Sequence, residues 1–177
     1  MIYIGITGHR NLKQEYLPYY KQQLYKLLQK LQQKYKDIRV YSALAQGADS
    51  LIVEVAISLD IEYIAVLPMI QDIYKQDFTN SFLKKFEYLL QNALYIKEMP
   101  HLSTINEQYE SAGRYISDNS HILVALWDGV DNCLQGGTSE IIKYHISKQK
   151  YRFYLLLVSR EGDLTKNMIK FVYYEKW

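Results

Sequence analysis

Short apolar runs alternate along the chain with longer stretches whose apolar positions recur at three- and four-residue steps. The runs cover residues 3–6, 39–42, 62–67, 93–96, 121–126 and 152–158. Most are continuously apolar, as expected of strands covered on both faces. Between the first two runs, Leu17, Tyr20, Leu24, Leu27, Leu28, Leu31 and Tyr35 form one helical stripe. Further helices are predicted over 48–59, 78–90, 106–117 and 138–148. Strand–helix alternation of this kind predicts an α/β fold: a single Rossmann-like, doubly wound, mostly parallel sheet with right-handed crossovers and helices on both faces. One domain spans 1–177, ending in an aromatic-rich tail over 168–177. That tail either adds an edge strand or packs against another subunit.

Composition narrows the class. At 177 residues and 49% hydrophobic content, the chain builds one well-buried core and is too short for two ordinary domains. A net charge of +2 gives no global reason to expect a nucleic acid or an anionic membrane, so nucleic acid is read as an unlikely partner. The lysines between Lys13 and Arg39 share their segment with the helical stripe and read as its solvated face. Cys133 is the sole cysteine, which rules out an intramolecular disulfide and fits a reducing, cytoplasmic setting. The first apolar run lacks a basic leader, and no run approaches the roughly 18 residues of a membrane span. The 18 tyrosines read mainly as core and rim residues.

In doubly wound sheets the ligand sits beyond the carboxyl ends of the strands, so the residues after each strand carry the chemistry. The first run leads into Thr7-Gly8-His9-Arg10. The second leads into Ser42-Ala43-Leu44-Ala45-Gln46-Gly47-Ala48-Asp49. The fifth leads into Trp127-Asp128-Gly129 and then Gln135-Gly136-Gly137-Thr138-Ser139-Glu140. Gly8 permits a tight turn, and Arg10 is a planar cationic fork for a phosphate. His9 is a donor toward a ligand or a loop cap. Gly47 and Asp49 open the next helix, where Asp49 either accepts backbone N–H bonds of the first turn or holds a ribose hydroxyl pair. The strongest signal is Gly136-Gly137-Thr138: a strand, a glycine pair and a helix start present N–H groups to an anion. The segment 106–117 is expected to aim Tyr109, Glu110, Gly113 and Arg114 across the pocket mouth. No histidine pair stands at a metal-like spacing, so no metal site is expected, and no cofactor is called for.

The run from Gly5 to Arg10, the segment from Leu44 to Asp49 and the block from Arg114 to Thr138 resemble the SLOG superfamily, which groups DNA-processing proteins of the DprA kind with the LOG nucleotide hydrolases. The resemblance spans residues 2–158. It implies a Rossmann-like nucleotide-binding domain, closest to bacterial SLOG domains that sense nucleotide-derived signals in defence. LOG enzymes are phosphoribohydrolases with an arginine in a helix before a strand, then a turn reading Gly-Gly-x-Gly-Thr-x-x-Glu. Arg114 matches that arginine, and Gly136-Gly137-Thr138 matches part of the turn. Glu140 stands two rather than three residues after the threonine, a helical rotation of about 100° from the matching direction.

The resemblance and the residues together imply a sensor or sequestering protein for a nucleotide-derived small molecule, of the ADP-ribose or cyclic-nucleotide kind. Gly136 and Gly137 with Thr138 and Ser139 would cradle phosphate, Arg10 and Arg114 would neutralise it, and Gly8, His9 and Gly47 would belong to the same ligand site. Ser42, Gln46, Asp49 and Asp128 would address ribose or base, and Tyr109 or Trp127 would stack. The alternative is a nucleoside 5′-monophosphate N-glycosidase, with Arg114 and Glu140 as its catalytic pair. A homo-oligomer, a dimer or larger, and an effector protein are the expected partners; a membrane is not.

Overall fold

The computed structural model describes residues 1–131, 133–148, 152–160 and 171–174. The apolar runs form strands β1 (Ile2–Gly8), β2 (Ile38–Ser42), β3 (Tyr63–Leu67), β4 (Tyr95–Glu98), β5 (Ile122–Trp127) and β6 (Arg152–Leu157). Within the tail, β7 (Phe171–Tyr174) adds an edge strand. Phe171 to Tyr174 run antiparallel to β6, whereas β1 to β6 pair parallel throughout. The strand order β4-β3-β2-β1-β5-β6-β7 makes a seven-stranded sheet whose direction of winding reverses between β1 and β5.

Helices cover both faces because strand residues alternate sides. Ile4, Ile6, Val124 and Leu126 point to the face covered by α1 (Leu17–Tyr35), α2 (Ala48–Ser58) and α4 (Asn80–Gln91). The stripe of α1 is its buried side: Tyr20, Leu24, Leu27, Leu28 and Leu31. On the opposite face, α5 (Ile105–Asn119) seats Ala112 and Ile116 against Ile64 and Val66, and α6 (Thr138–Ser147) seats Ile142 against Leu123 and Ala125. No helix among the described residues is long and apolar enough to cross a membrane.

Local chemistry fixes the boundaries. A capping box starts α5: Thr104 Oγ1 accepts from the Glu107 N–H at 3.2 Å, and Glu107 accepts from the Thr104 N–H at 2.9 Å. The predicted helix over 78–90 begins at Asn80, and a short helix α3 (Gln71–Tyr74) precedes it. The fourth strand lies two residues later than its apolar run, at an edge where Tyr95 and Ile96 remain exposed.

Candidate functional site

The reversal of strand order opens a crevice at the carboxyl ends of β1 and β5. Three glycine-containing turns meet there. Gly8 ends β1 and carries no side chain because a Cβ would collide with Ala48 at the start of α2 and lie 2.8 Å from the Leu126 carbonyl oxygen. Its purpose is close helix–sheet packing. Gly47 has φ +91°, and a Cβ there would strike the backbone carbonyls of His9 and Arg10. The Ala48 N–H donates to the His9 carbonyl at 3.1 Å, and the His9 N–H donates to the Leu126 carbonyl at 3.0 Å. Gly136, with φ +72°, presses onto α5, where a Cβ would lie 2.7 Å from the Glu110 nitrogen.

Between these turns runs a groove of about 320 Å³, lined by Gly8, His9, Arg10, Asn11, Asn106, Tyr109, Leu134, Gln135, Gly136, Gly137, Thr138 and Arg160. The first turn of α6 faces it, and an α-helix leaves its first N–H groups without intrahelical partners and carries partial positive charge at that end. Arg10 is exposed and makes no ion pair among the described residues; its guanidinium lies 4.8 Å from the Tyr109 ring centroid. Arg160 arrives from the end of β6. An isolated bridge pairs it with Leu12, and it donates to Asn11 Oδ1 at 2.9 Å. Beneath the groove, and sharing Gly8, Arg10, Tyr109, Gly136 and Thr138 with it, lies a chamber of about 90 Å³ that Asp49 and Tyr74 also line.

Two buried carboxylates differ in electrostatics. Burial pushes Asp128 up, but the Val130 N–H, His9 and Arg160 outweigh it and hold the carboxyl below the ordinary range. The partner distances are 2.9 Å to His9 Nε2 and 3.6 Å to Arg160. For Asp49 burial wins. Neither the nearby Arg10 charge nor the 3.4 Å bond from the Ala43 N–H prevents a rise from 3.8 to about 7. Asp49 thus reaches back to the loop before α2 rather than capping its own helix. Burial likewise pushes the Tyr74 phenol well above its usual value, so it stays neutral.

Other candidate residues stand outside the groove. Arg114 lines a separate recess with Glu107, Glu110 and Tyr144. It pairs with Glu110, lies 3.6 Å from Glu140, and stacks 4.7 Å from the Tyr144 ring centroid. Glu140 accepts from the Gly136 N–H at 2.6 Å and so fastens the glycine turn. Glu110 accepts from Gln135 at 2.8 Å, and that bond together with Arg114 keeps its carboxyl low. Ser42 is fully buried, donating to the Asp49 carbonyl and accepting from the Leu44 N–H. Gln46 lines a recess on the far side of Arg10, beside Leu17 and Phe82. Trp127 donates its indole N–H to the Val130 carbonyl, and Ser139 is buried at the start of α6. Among the described residues no group of three histidine, cysteine or acidic side chains is placed to hold a metal. Sequence reading missed Arg160 and Tyr74. Arg160 was within reach of the same rule that found Arg10, since Ser159-Arg160 directly follows the sixth apolar run.

No family model matches the chain, and no curated protein matches it. Solved structures do. DNA processing protein A (DprA) from Streptococcus pneumoniae superposes with a TM-score of 0.63 at 13% identity, over 95% of this chain and 53% of that one. The chain therefore spans about half the length of the pneumococcal protein. The Helicobacter pylori DNA processing protein A, described for its unique single-stranded DNA binding mode, gives a TM-score of 0.58 at 19% identity over 92% and 67% of the two chains. This finding corrects the expectation that nucleic acid is an unlikely partner. Net charge averages the whole surface, whereas strand binding requires only a local cationic track with an aromatic platform. The chain has the Rossmann-like fold seen in DprA.

Proposed function

We propose that the domain binds the phosphate and sugar of a nucleotide in the groove between β1 and β5, either as a free nucleotide-derived signal or as one unit of a single strand. The observation that carries this reading is the convergence of Arg10, Arg160 and the first turn of α6 on one groove of about 320 Å³. Two guanidiniums and a helix N-terminus suit a phosphate's charge and its several acceptor oxygens. Tyr109 adds a ring face on which Arg10 rests and beside which a base can stack. The fold shared with DprA supports the strand source; a volume of about 320 Å³, within the range of small-molecule sites, supports the free nucleotide. Glu140, the acid of the hydrolase reading, is engaged with the Gly136 N–H and Arg114, which favours binding over bond cleavage.

The test compares a nucleoside, its 5′-monophosphate and a short single-stranded oligonucleotide by titration calorimetry, with chromatography for released base. Binding that requires the phosphate and falls at least tenfold in both Arg10→Ala and Arg160→Ala is the expected result. An oligonucleotide that binds far more tightly than the mononucleotide, with a steep salt dependence, identifies the strand as the source. Equal binding of nucleoside and nucleotide, or two arginine variants that bind like the parent, would refute the proposal. Free base accumulating over time would replace it with the N-glycosidase reading.

A further inference from the structure

The chamber beneath the groove holds an anomaly. Tyr74 is fully buried, lines the chamber, and its hydroxyl has no hydrogen-bond partner among the described residues. A buried hydroxyl left unpaired is costly, so such a group is normally satisfied by something that occupies the site. Asp49 stands in the same chamber at 8% exposure, held on its loop side by Ser42 and by the long 3.4 Å bond from the Ala43 N–H. Gly8, Ala43, Ala45, Ala112 and Gly113 supply much of the remaining wall, so the space comes from missing side chains.

Resting on the free-nucleotide form of the groove reading above, we infer that this chamber is a sugar-hydroxyl subsite, in which Asp49 and Tyr74 hydrogen-bond the vicinal hydroxyls of a ribose whose phosphate lies against Arg10 and the start of α6. Size and charge select this occupant. At about 90 Å³ against about 320 Å³ for the groove, the chamber is the smaller space and suits the hydroxyl edge of a sugar, with the rest of the nucleotide in the groove. A phosphate fits the groove better than the chamber, because Arg160 and Gly137 line the groove alone. A carboxyl and a phenol together offer both donor and acceptor, which is what a hydroxyl pair needs. The route is continuous, since Gly8, Arg10, Tyr109, Gly136 and Thr138 border both spaces. Arg10, exposed and resting on Tyr109, borders both spaces and so stands where phosphate and sugar would join.

The experiment measures affinities of a ribonucleoside 5′-monophosphate and its 2′,3′-dideoxy counterpart for the parent protein, Tyr74→Phe and Asp49→Asn, with a thermal melt of each. The parent is expected to prefer the ribonucleotide. Tyr74→Phe should lower ribonucleotide affinity roughly three- to tenfold, leave the dideoxy ligand unchanged, and melt at or above the parent temperature because it removes an unpaired hydroxyl. Asp49→Asn, which keeps an acceptor for the Ala43 N–H, should show the same selectivity. Equal parent affinity for the two sugars, or equal losses for both ligands in Tyr74→Phe, would overturn the subsite while leaving phosphate binding in the groove intact. A parent protein that binds neither nucleotide overturns both readings.

Discussion

Replacing Asp49 by asparagine removes an ionisable group that the fold desolvates more than it compensates. The residue is 8% exposed, and burial is the largest influence on it, raising the carboxyl from 3.8 to about 7. The facing Arg10 charge, the Ala43 N–H and Ser42 pull the other way without cancelling that rise. An acid that holds its proton more tightly in the folded chain than in the unfolded one contributes stability that is fully present below the unfolded value. That contribution is lost as pH rises through the folded value. The interval from 3.8 to about 7, at about 1.36 kcal/mol per pH unit, comes to about 4 kcal/mol. Asparagine cannot ionise, yet its carbonyl still accepts from Ala43. The stability of Asp49→Asn minus that of the parent should therefore be level below about pH 4, climb by about 4 kcal/mol toward pH 7, and level off above it. Urea unfolding at half-unit pH steps, compared at constant m, reads this directly. A difference that stays level from pH 4 to 8 would refute the reasoning. A phosphate that engages Arg10 also withdraws its charge from Asp49. Binding near neutral pH should then take up protons in the parent and not in the variant, visible as a buffer-dependent heat.

Gly47→Ala forces a side chain into the carbonyls of His9 and Arg10 at φ +91°, so it should lower stability by at least about 1–3 kcal/mol and weaken nucleotide binding with it; thermal melts and titrations check both. Thr104→Ala removes the side chain that starts α5, for an expected loss of about 1 kcal/mol in denaturant unfolding without change in the groove. Glu140→Gln keeps an acceptor for the Gly136 N–H and should cost under about 1 kcal/mol, since the pair with the half-exposed Arg114 is weak. Glu140→Ala abandons that N–H and should cost about 1.5–3 kcal/mol; equal melting of the two variants would show that the turn does not depend on this bond.

Much of the fold was legible because continuous apolar runs and three- and four-residue spacings are direct records of burial. β3 is buried at every position, and the stripe of α1 is buried from Tyr20 to Leu31. β4 marks the limit of that signal: its apolar residues lie at an exposed edge, and hydrophobicity alone does not distinguish an edge from a centre. At the site, the turns containing Gly8, Gly47 and Gly136 were readable as small residues after strands. The helical phase of α5 was the harder part. Tyr109, Ala112, Gly113 and Ile116 line the inner chamber, whereas Glu110, Arg114 and Asp118 line the outer recess. Neighbouring residues differ by about 100° around a helix, so Tyr109 and Glu110, or Gly113 and Arg114, cannot share one wall. Tyr74 gave no sequence signal because a four-residue helix carries no period.

The ties between the loop after β1 and the end of β6 set an order of events for the newly made chain. The Lys13 N–H donates to the Ser159 carbonyl, the Ser159 N–H donates to the Tyr20 hydroxyl, and Arg160 holds Asn11. These contacts join positions up to 149 residues apart. Closures over such separations come late, after local helices have formed. During synthesis the Arg10 side of the groove emerges long before its opposite cation, Arg160. Ligand recognition should switch on only once Arg160 has left the ribosome, and a nascent fragment halted before it should have helices without affinity.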